Sequence, residues 1–190
     1  MKSKCLLILI VGIIFCTGAV SASSIKPRVH MQTSLGLIVI ELDPQAAPDT
    51  VKNFLQYSQS GFFNQTIFHR VIKGFMIQGG GLTPELKKKA TTSPIANEAD
   101  NGLKNIRGSI AMARTMNPHS ATAQFFINTA NNKALDFTAK TTQGWGYCVF
   151  GRVVAGIETV DRIENAATTM RAGRRDVPAE TVFIESVTVK

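Results

Sequence analysis

The sequence predicts a mainly β protein: a closed eight-stranded antiparallel β-barrel capped by two α-helices. Short apolar segments with the alternation typical of strands recur along the chain between glycine-containing turns, whereas only two segments show helical spacing. The chain has 15 glycines, 44% hydrophobic residues and 18% charged residues, a composition that favours a folded globular protein. A β-sandwich would give the same pattern, and the pattern alone does not separate the two architectures.

The first 22 residues have the features of a cleaved secretory signal. Lys2 and Lys4 form a basic start, residues 6–15 are an almost unbroken apolar run, and residues 20–22 (Val-Ser-Ala) supply small residues for cleavage. A membrane anchor would need about 20 apolar residues. A lipoprotein signal would need a small residue directly before its cysteine, where this chain has a phenylalanine. We therefore predict cleavage after residue 22 and a periplasmic protein.

Cleavage would leave one domain, residues 23–190. Two of the 21 basic residues lie in the signal and all 13 acidic residues lie outside it, so the net charge falls from +8 to +6. Cys148 becomes the only cysteine, so no internal disulfide can form, and we expect its thiol to be buried and inert. The basic residues cluster at 87–89 and 171–175 without interleaved aromatics, which favours solvated loops over a nucleic-acid site.

The mature chain begins with a predicted hairpin and a helix. Residues 28–33 and 37–42 are predicted strands around a turn that contains Gly36. Apolar residues at helical spacing between residues 51 and 58 predict a helix that ends at Gly61. We expect this helix to lie across one open end of the barrel.

Residues 68–81 are predicted to form two short strands around a glycine turn. Arg70 lies on the first strand, and Met76 and Gln78 share a face of the second. A guanidinium beside an apolar floor favours a pocket that binds an uncharged group and acts on it electrostatically. A hairpin with a surface arginine explains this stretch equally well. The glycines at 79–81 lack the Gly-Lys-Ser/Thr continuation of a phosphate loop and predict a bend in the strand.

The second half of the chain supplies the remaining elements. Residues 109–113, 124–128, 147–153 and 181–189 are predicted strands, and residues 156–165 are a predicted helix. The segments between them, including the basic one after the helix, are predicted loops. No internal repeat or change of composition marks a second domain.

The sequence gives little support for hydrolytic, metal or cofactor chemistry. It contains no Gly-x-Ser-x-Gly motif. Its histidines, His30, His69 and His119, are far apart, and no combination of His, Cys and Asp has the spacing of a metal site. We expect His69 to be a structural histidine and predict no cofactor and no metal.

Four segments resemble the signature of the cyclophilin family of peptidyl-prolyl isomerases, in the family's order. They are residues 68–80, 110–113, 124–127 and 149–153, and the resemblance extends from about residue 28 to residue 190. The signal and the compact loops make the chain most similar to the bacterial periplasmic members. The resemblance implies an eight-stranded barrel with two capping helices, a groove on its outer face, and isomerisation of X–Pro bonds in exported proteins.

The resemblance also implies roles for eleven residues. Arg70 would be the catalytic arginine, which stabilises the twisted X–Pro imide without a covalent intermediate. The proline pocket would be formed by Phe75, Met76, Phe126, Leu135 and Tyr147. The substrate chain would be held by Gln78, Ala113, Arg114, Thr115 and Gln124. Proline-containing segments of unfolded proteins are the expected partners, and nothing in the sequence demands more than a monomer.

The chain departs from the best-known eukaryotic members in the groove. Ala134 stands where they carry a tryptophan, Tyr147 where they carry a histidine, and Arg114 where they usually carry an asparagine. Loss of the indole removes a hydrogen-bond donor and much of one wall, so we expect weak cyclosporin binding. Arg114 would place a charge at the rim and alter which peptides bind well.

Two alternatives to an active isomerase remain open from the sequence. The groove could hold extended chains as a chaperone, with catalysis incidental; binding alone would not need a guanidinium at position 70. The barrel could instead contact a host or the cell envelope through the basic loops 86–90 and 170–175.

Overall fold

The computed structural model describes residues 26–190, and the predicted signal lies outside the described residues. None of the helices in this part of the chain is long and apolar enough to cross a membrane. In chain order the elements are β1 (Arg28–Thr33), β2 (Gly36–Leu42), α1 (Pro48–Gln59), β3 (Thr66–Phe68), β4 (Arg70–Ile72), β5 (Met76–Gly79), β6 (Ser109–Met112), β7 (Phe125–Asn128), β8 (Val149–Ala155), α2 (Ile157–Glu164), β9 (Thr168–Arg171), β10 (Arg174–Pro178) and β11 (Val182–Val189).

The main sheet is antiparallel and nearly closed. Its strand order is β3-β11-β1-β2-β8-β6-β7-β5-β4. The two end strands, β3 and β4, are consecutive in the chain and are separated only by His69. The two edges of the sheet therefore meet at this residue, and counting β3 and β4 as one interrupted strand gives the eight predicted strands. The predicted barrel with two helices is confirmed, and the sandwich alternative is wrong.

The barrel interior is filled by the inward residues of the strands and by one face of each helix. Val29 and Met31 of β1 alternate with more exposed neighbours, as a strand with one buried face requires. From α1, Phe54 inserts among three other aromatic rings at centroid distances of 5.0 to 5.6 Å, those of Phe63, Phe125 and Phe150. This aromatic cluster fixes α1 against the barrel.

The start of α1 is capped by a residue far away in the sequence. Pro48 stands in the first turn, where its fixed φ suits a helix and its missing N–H costs nothing. The Glu98 carboxylate accepts the N–H groups of Asp49 (3.2 Å) and Thr50 (2.9 Å). A negative group at this position satisfies free backbone donors and complements the helix dipole.

One sequence prediction about the fold is wrong: the basic segment after α2 is not a loop. Residues 168–178 form a second, two-stranded sheet of β9 and β10. Its turn contains Ala172 and Gly173, both with positive φ (49° and 72°), as a two-residue hairpin turn requires. The hairpin escaped the sequence pattern because β9 is almost entirely exposed and has no alternation of apolar and polar residues.

Candidate active site

The strands that carry the signature segments align a row of side chains on the outside of the barrel. The strand register pairs Arg70 of β4 with Gln78 of β5, Gln78 with Phe126 of β7, and Phe126 with Ala111 of β6. The row ends at Val149 of β8. Neighbouring positions on these strands face the opposite way into the core, so the row lies on the outer face.

A small depression of about 100 Å³ opens on this row. We call it the apolar pocket. Nine of the eleven candidate residues line it: Arg70, Phe75, Met76, Gln78, Ala113, Arg114, Phe126, Leu135 and Tyr147. The other two, Gln124 and Thr115, line a larger adjoining depression. The structure thus brings together the positions that the resemblance implied.

The floor of the apolar pocket is closely packed. Met76 and Phe126 are only 2% and 4% exposed, so their positions are fixed by packing. The Tyr147 ring meets the Phe126 ring edge to face at 5.6 Å. Phe75 precedes β5 and lies in the turn, so strand alternation does not apply to it and it joins Met76 in the same cluster. These side chains form a wall that suits one compact apolar group.

Arg70 stands at the edge of the apolar pocket with its guanidinium accessible. Its side chain is 46% exposed, and its Nε lies 3.8 Å from Oδ2 of Asp176, which is 41% exposed. Ion pairs this exposed contribute little to stability. The pair with Asp176 therefore leaves the guanidinium accessible from solvent.

The polar rim beside Arg70 is partly committed to internal hydrogen bonds. Gln78 Nε2 donates to Gln124 Oε1 at 3.0 Å, which holds the two amides together. The N–H of Ala113 donates to the Gln124 carbonyl (2.9 Å), and the N–H of Thr115 donates to Ser120 Oγ (2.9 Å). These two N–H groups are therefore already paired within the protein.

Arg114 is held against the pocket wall. Its Nε donates to the Gly146 carbonyl at 2.8 Å and its Nη1 to the Thr115 carbonyl at 2.9 Å. Its guanidinium carbon lies 4.6 Å from the centre of the Tyr147 ring, a cation–π distance. The arginine thus braces Tyr147, a role that the sequence did not reveal. The nearby Trp145 packs on Phe137 and does not line the apolar pocket.

A buried amide behind the apolar pocket connects two of its walls, and the sequence analysis missed it. Asn105 is 1% exposed, and its Nδ2 lies within hydrogen-bond distance of the Leu135 carbonyl (3.1 Å) and the Tyr147 carbonyl (3.3 Å). Asp136 Oδ1 accepts the Asn105 backbone N–H at 2.8 Å. Asn105 lies in a segment without regular periodicity, so no sequence signal distinguishes it from a loop asparagine.

A second buried amide continues this network to the third wall. Asn128 Nδ2 donates to Asn105 Oδ1 at 3.2 Å, and Asn128 Oδ1 accepts from Asn132 at 2.7 Å. Asn132 also donates to the Phe75 carbonyl at 2.7 Å. The one available signal was Asn128, a polar residue at the end of an otherwise apolar strand.

Two titratable groups near the barrel wall are neutral at neutral pH. Burial lowers the pKa of His69 to about 4, so its imidazole is uncharged beside Arg70. Burial raises the pKa of the Cys148 thiol to about 11. Cys148 is 3% exposed, as expected for an inert buried thiol.

Fold and site together define a class of protein: an antiparallel barrel whose outer face carries an arginine over an apolar pocket. The family model described as "Cyclophilin type peptidyl-prolyl cis-trans isomerase/CLD" matches residues 28–189. The chain therefore belongs to the cyclophilin-type peptidyl-prolyl cis-trans isomerases.

Similar proteins span nearly the same length. Peptidyl-prolyl cis-trans isomerase B of Escherichia coli (strain K12) is 60% identical over 161 residues, which cover 85% of this chain and 98% of that protein. Peptidyl-prolyl cis-trans isomerase A of Dickeya dadantii is 49% identical over 168 residues, covering 88% and 87% of the two chains. A Cryptosporidium parvum cyclophilin crystallised in the presence of the dipeptide Ala-Pro is 30% identical, with a TM-score of 0.73 and coverage of 86% and 98%.

Proposed function

We propose that the chain isomerises X–Pro bonds with Arg70 as the catalytic residue and the apolar pocket as the site of the proline ring. Family membership supports the reaction. The mechanism rests on one observation, the accessible guanidinium at the edge of a closely packed apolar floor.

The reaction is slow because amide resonance sets a barrier of about 18–20 kcal/mol. Twisting the bond makes the proline nitrogen pyramidal and leaves it a lone pair, which the planar ground states do not have. A guanidinium that donates to this nitrogen binds the twisted state more strongly than either planar isomer, and only such differential binding accelerates the step. A gain of about five decades requires about 7 kcal/mol.

The apolar pocket contributes in two ways. Burying the proline ring against Met76 and Phe126 fixes the bond relative to Arg70, which removes orientational freedom before the twist. The ring also displaces water from the guanidinium, and a charged hydrogen bond is stronger in the drier environment. Gln78, bonded to Gln124, presents an amide edge for the peptide backbone at the same place.

The test is exchange spectroscopy by NMR on a short Ala-Pro peptide. We expect Arg70→Ala to lower the exchange rate by two or more decades, and Arg70→Lys to lower it nearly as much, because lysine lacks the planar fork of donors. Arg152→Ala is the matched control, since Arg152 is exposed on β8 and pairs with Glu41 away from the pocket. Circular dichroism would verify that each variant is folded.

Two outcomes would contradict the proposal. Wild-type rates retained in a folded Arg70→Ala variant would exclude Arg70 as the catalytic residue. Peptide binding without any catalysis by the wild type would leave the chaperone alternative.

We further propose that the substrates are proline-containing segments of exported proteins in the periplasm. The signal pattern of residues 1–22 supports this location. Sequencing the N terminus of the exported protein should find Ser23, whereas Met1 in the soluble periplasmic fraction would exclude cleavage. We also expect the protein to act as a monomer and to bind cyclosporin weakly, because exposed Ala134 offers neither an indole donor nor its wall.

A further inference from the structure

A second depression adjoins the apolar pocket and is much larger, about 460 Å³. The two share Arg70, Gln78, Ala113 and Arg114 on their linings, so they form one continuous groove. An extended peptide advances about 3.3–3.6 Å per residue. A substrate with its proline in the apolar pocket would therefore place a side chain one to three residues away in the larger depression.

This larger depression is lined by positive charge, and we call it the cationic compartment. None of its lining residues is an aspartate or a glutamate, and His69 adds no charge because its pKa is about 4. The two basic clusters of the sequence meet here because the β9–β10 hairpin packs against β4 and lines the same depression as Lys88 and Lys89. The cations on its lining are Arg70, Lys88, Lys89, Arg114, Arg174 and Arg175.

Half of these cations are already engaged within the protein. Lys89 donates to the Phe62 carbonyl, Arg114 donates to two carbonyls, and Arg70 lies near Asp176. No carboxylate among residues 26–190 is ion-paired with the other three: Lys88, Arg174 and Arg175. All three are exposed. The cationic compartment therefore keeps a local excess of positive potential that the fold does not neutralise.

We infer that the cationic compartment selects substrates with an acidic side chain within three residues of the isomerised proline. The inference rests on the proposed function, because it names the substrate class of the same groove. A carboxylate suits the lining because the guanidiniums of Arg174 and Arg175 offer parallel N–H donors that match its two oxygens. Lys88, which lines the same compartment, adds a point charge on a flexible side chain.

The preference has a definite size and a definite salt dependence. Exposed ion pairs are individually weak, so three unpaired cations should raise kcat/KM for a glutamate peptide over its glutamine analogue by about tenfold at low ionic strength. At about 1 M salt the Debye length falls to about 3 Å, and the preference should nearly vanish. A preference based on the shape of the side chain would survive the salt.

The experiment uses the mature wild-type protein and paired peptides. Each pair carries glutamate or glutamine at one position, from three residues before to three after a single proline, and NMR exchange gives kcat/KM for each. We expect one or two positions with a glutamate preference of about tenfold that salt removes. Equal rates for every pair would overturn the inference while leaving the isomerase intact. Absence of catalysis on all peptides would overturn the proposed function itself.

Charge reversal then assigns the preference to the hairpin. Arg174→Glu/Arg175→Glu should abolish the glutamate preference and favour a lysine peptide at the same position. Lys52→Glu/Lys190→Glu is the control, because it changes the net charge equally at exposed residues that do not line the cationic compartment. An equal loss of preference in both double variants would assign it to overall charge and refute the local site. If the hairpin variant does not fold, Lys88→Glu against Lys52→Glu makes the same comparison, because both residues are exposed and only Lys88 lines the cationic compartment.

Discussion

Replacement of Asn105 by alanine tests whether the buried amide network holds the apolar pocket in shape. The substitution removes the hydrogen bonds of Nδ2 with the Leu135 and Tyr147 carbonyls and with Asp136 Oδ1, and the bond that Oδ1 accepts from Asn128. The backbone N–H of Asn105 keeps its bond to Asp136. The perturbation is therefore confined to the side-chain connections between the two pocket walls.

The expected cost can be estimated bond by bond. Asn128 Nδ2 keeps a bond to Ser109 Oγ (2.9 Å), and the Leu135 carbonyl keeps the one from the Tyr147 N–H (2.9 Å). The Tyr147 carbonyl loses its donor from the buried Asn105 side chain. Lost hydrogen bonds contribute about 1 kcal/mol each, and a carbonyl left without a donor costs about 1–3 kcal/mol. The free energy of unfolding should therefore fall by about 2–4 kcal/mol. For a chain of this length that lowers Tm by roughly 5–15 °C.

Thermal unfolding and peptide exchange together provide the assay. We expect kcat/KM of Asn105→Ala to fall about tenfold through KM, because the walls loosen while Arg70 is untouched. Asn165→Ala is the matched control, since it deletes one exposed hydrogen bond to the Asp161 carbonyl. A Tm loss no larger than that of the control, or a large Tm loss with unchanged KM, would refute the claim that the network shapes the apolar pocket.

Two further predictions concern stability. His69 has a folded pKa of about 4, below its usual 6.5, so between these pH values the unfolded chain binds a proton that the folded chain does not. The free energy of unfolding should therefore fall by about 2 kcal/mol from pH 7 to pH 5. Urea titrations of His69→Gln should show a weaker dependence on pH. Gly80 has a φ of 78°, and the Cβ of Gly80→Ala would overlap the buried Phe125 ring, so the free energy of unfolding should fall by more than about 2 kcal/mol. Gly74 has a similar φ of 73° but no atom near the added Cβ, so Gly74→Ala is the control and should lower the free energy of unfolding by only about 1 kcal/mol. Equal unfolding midpoints for the two variants would contradict the overlap argument.

Strand alternation predicted most strands and the outward row at Arg70, Met76 and Gln78, whereas the resemblance to the cyclophilin family implied the full set of site residues and favoured a barrel over a sandwich. One-residue alternation on β5 sends Ile77 to the core and Met76 and Gln78 outward, and pairing with neighbouring strands then aligns the outward residues into one row. Register, which the sequence does not state, is the part that the structure adds. The catalytic and binding roles assigned to them stay predictions.

The features that could not be predicted depend on contacts between distant segments. Glu98 caps α1 from about 50 residues away, and Asn105 acquires its partners only when the segment around Leu135 folds over it. Neither contact produces a periodic pattern in the sequence, because each is made by a single polar residue in a loop. The β9–β10 hairpin buries only the end of β10, where Val177 packs with Ile67 and Leu82, and β9 has no apolar alternation, so the hairpin also escaped prediction.

The accessible position of Arg70 is itself part of the proposed chemistry. An arginine buried in the apolar pocket would need a permanent partner, because an unpaired buried charge is strongly unfavourable. Such a partner would occupy the donors that the proline nitrogen requires. The weak 3.8 Å pair with Asp176 avoids this conflict, since solvent stabilises the guanidinium until the substrate arrives. In the proposed mechanism the substrate ring would provide the dry surroundings that strengthen the hydrogen bond, and the stabilisation would be directed at the twisted bond.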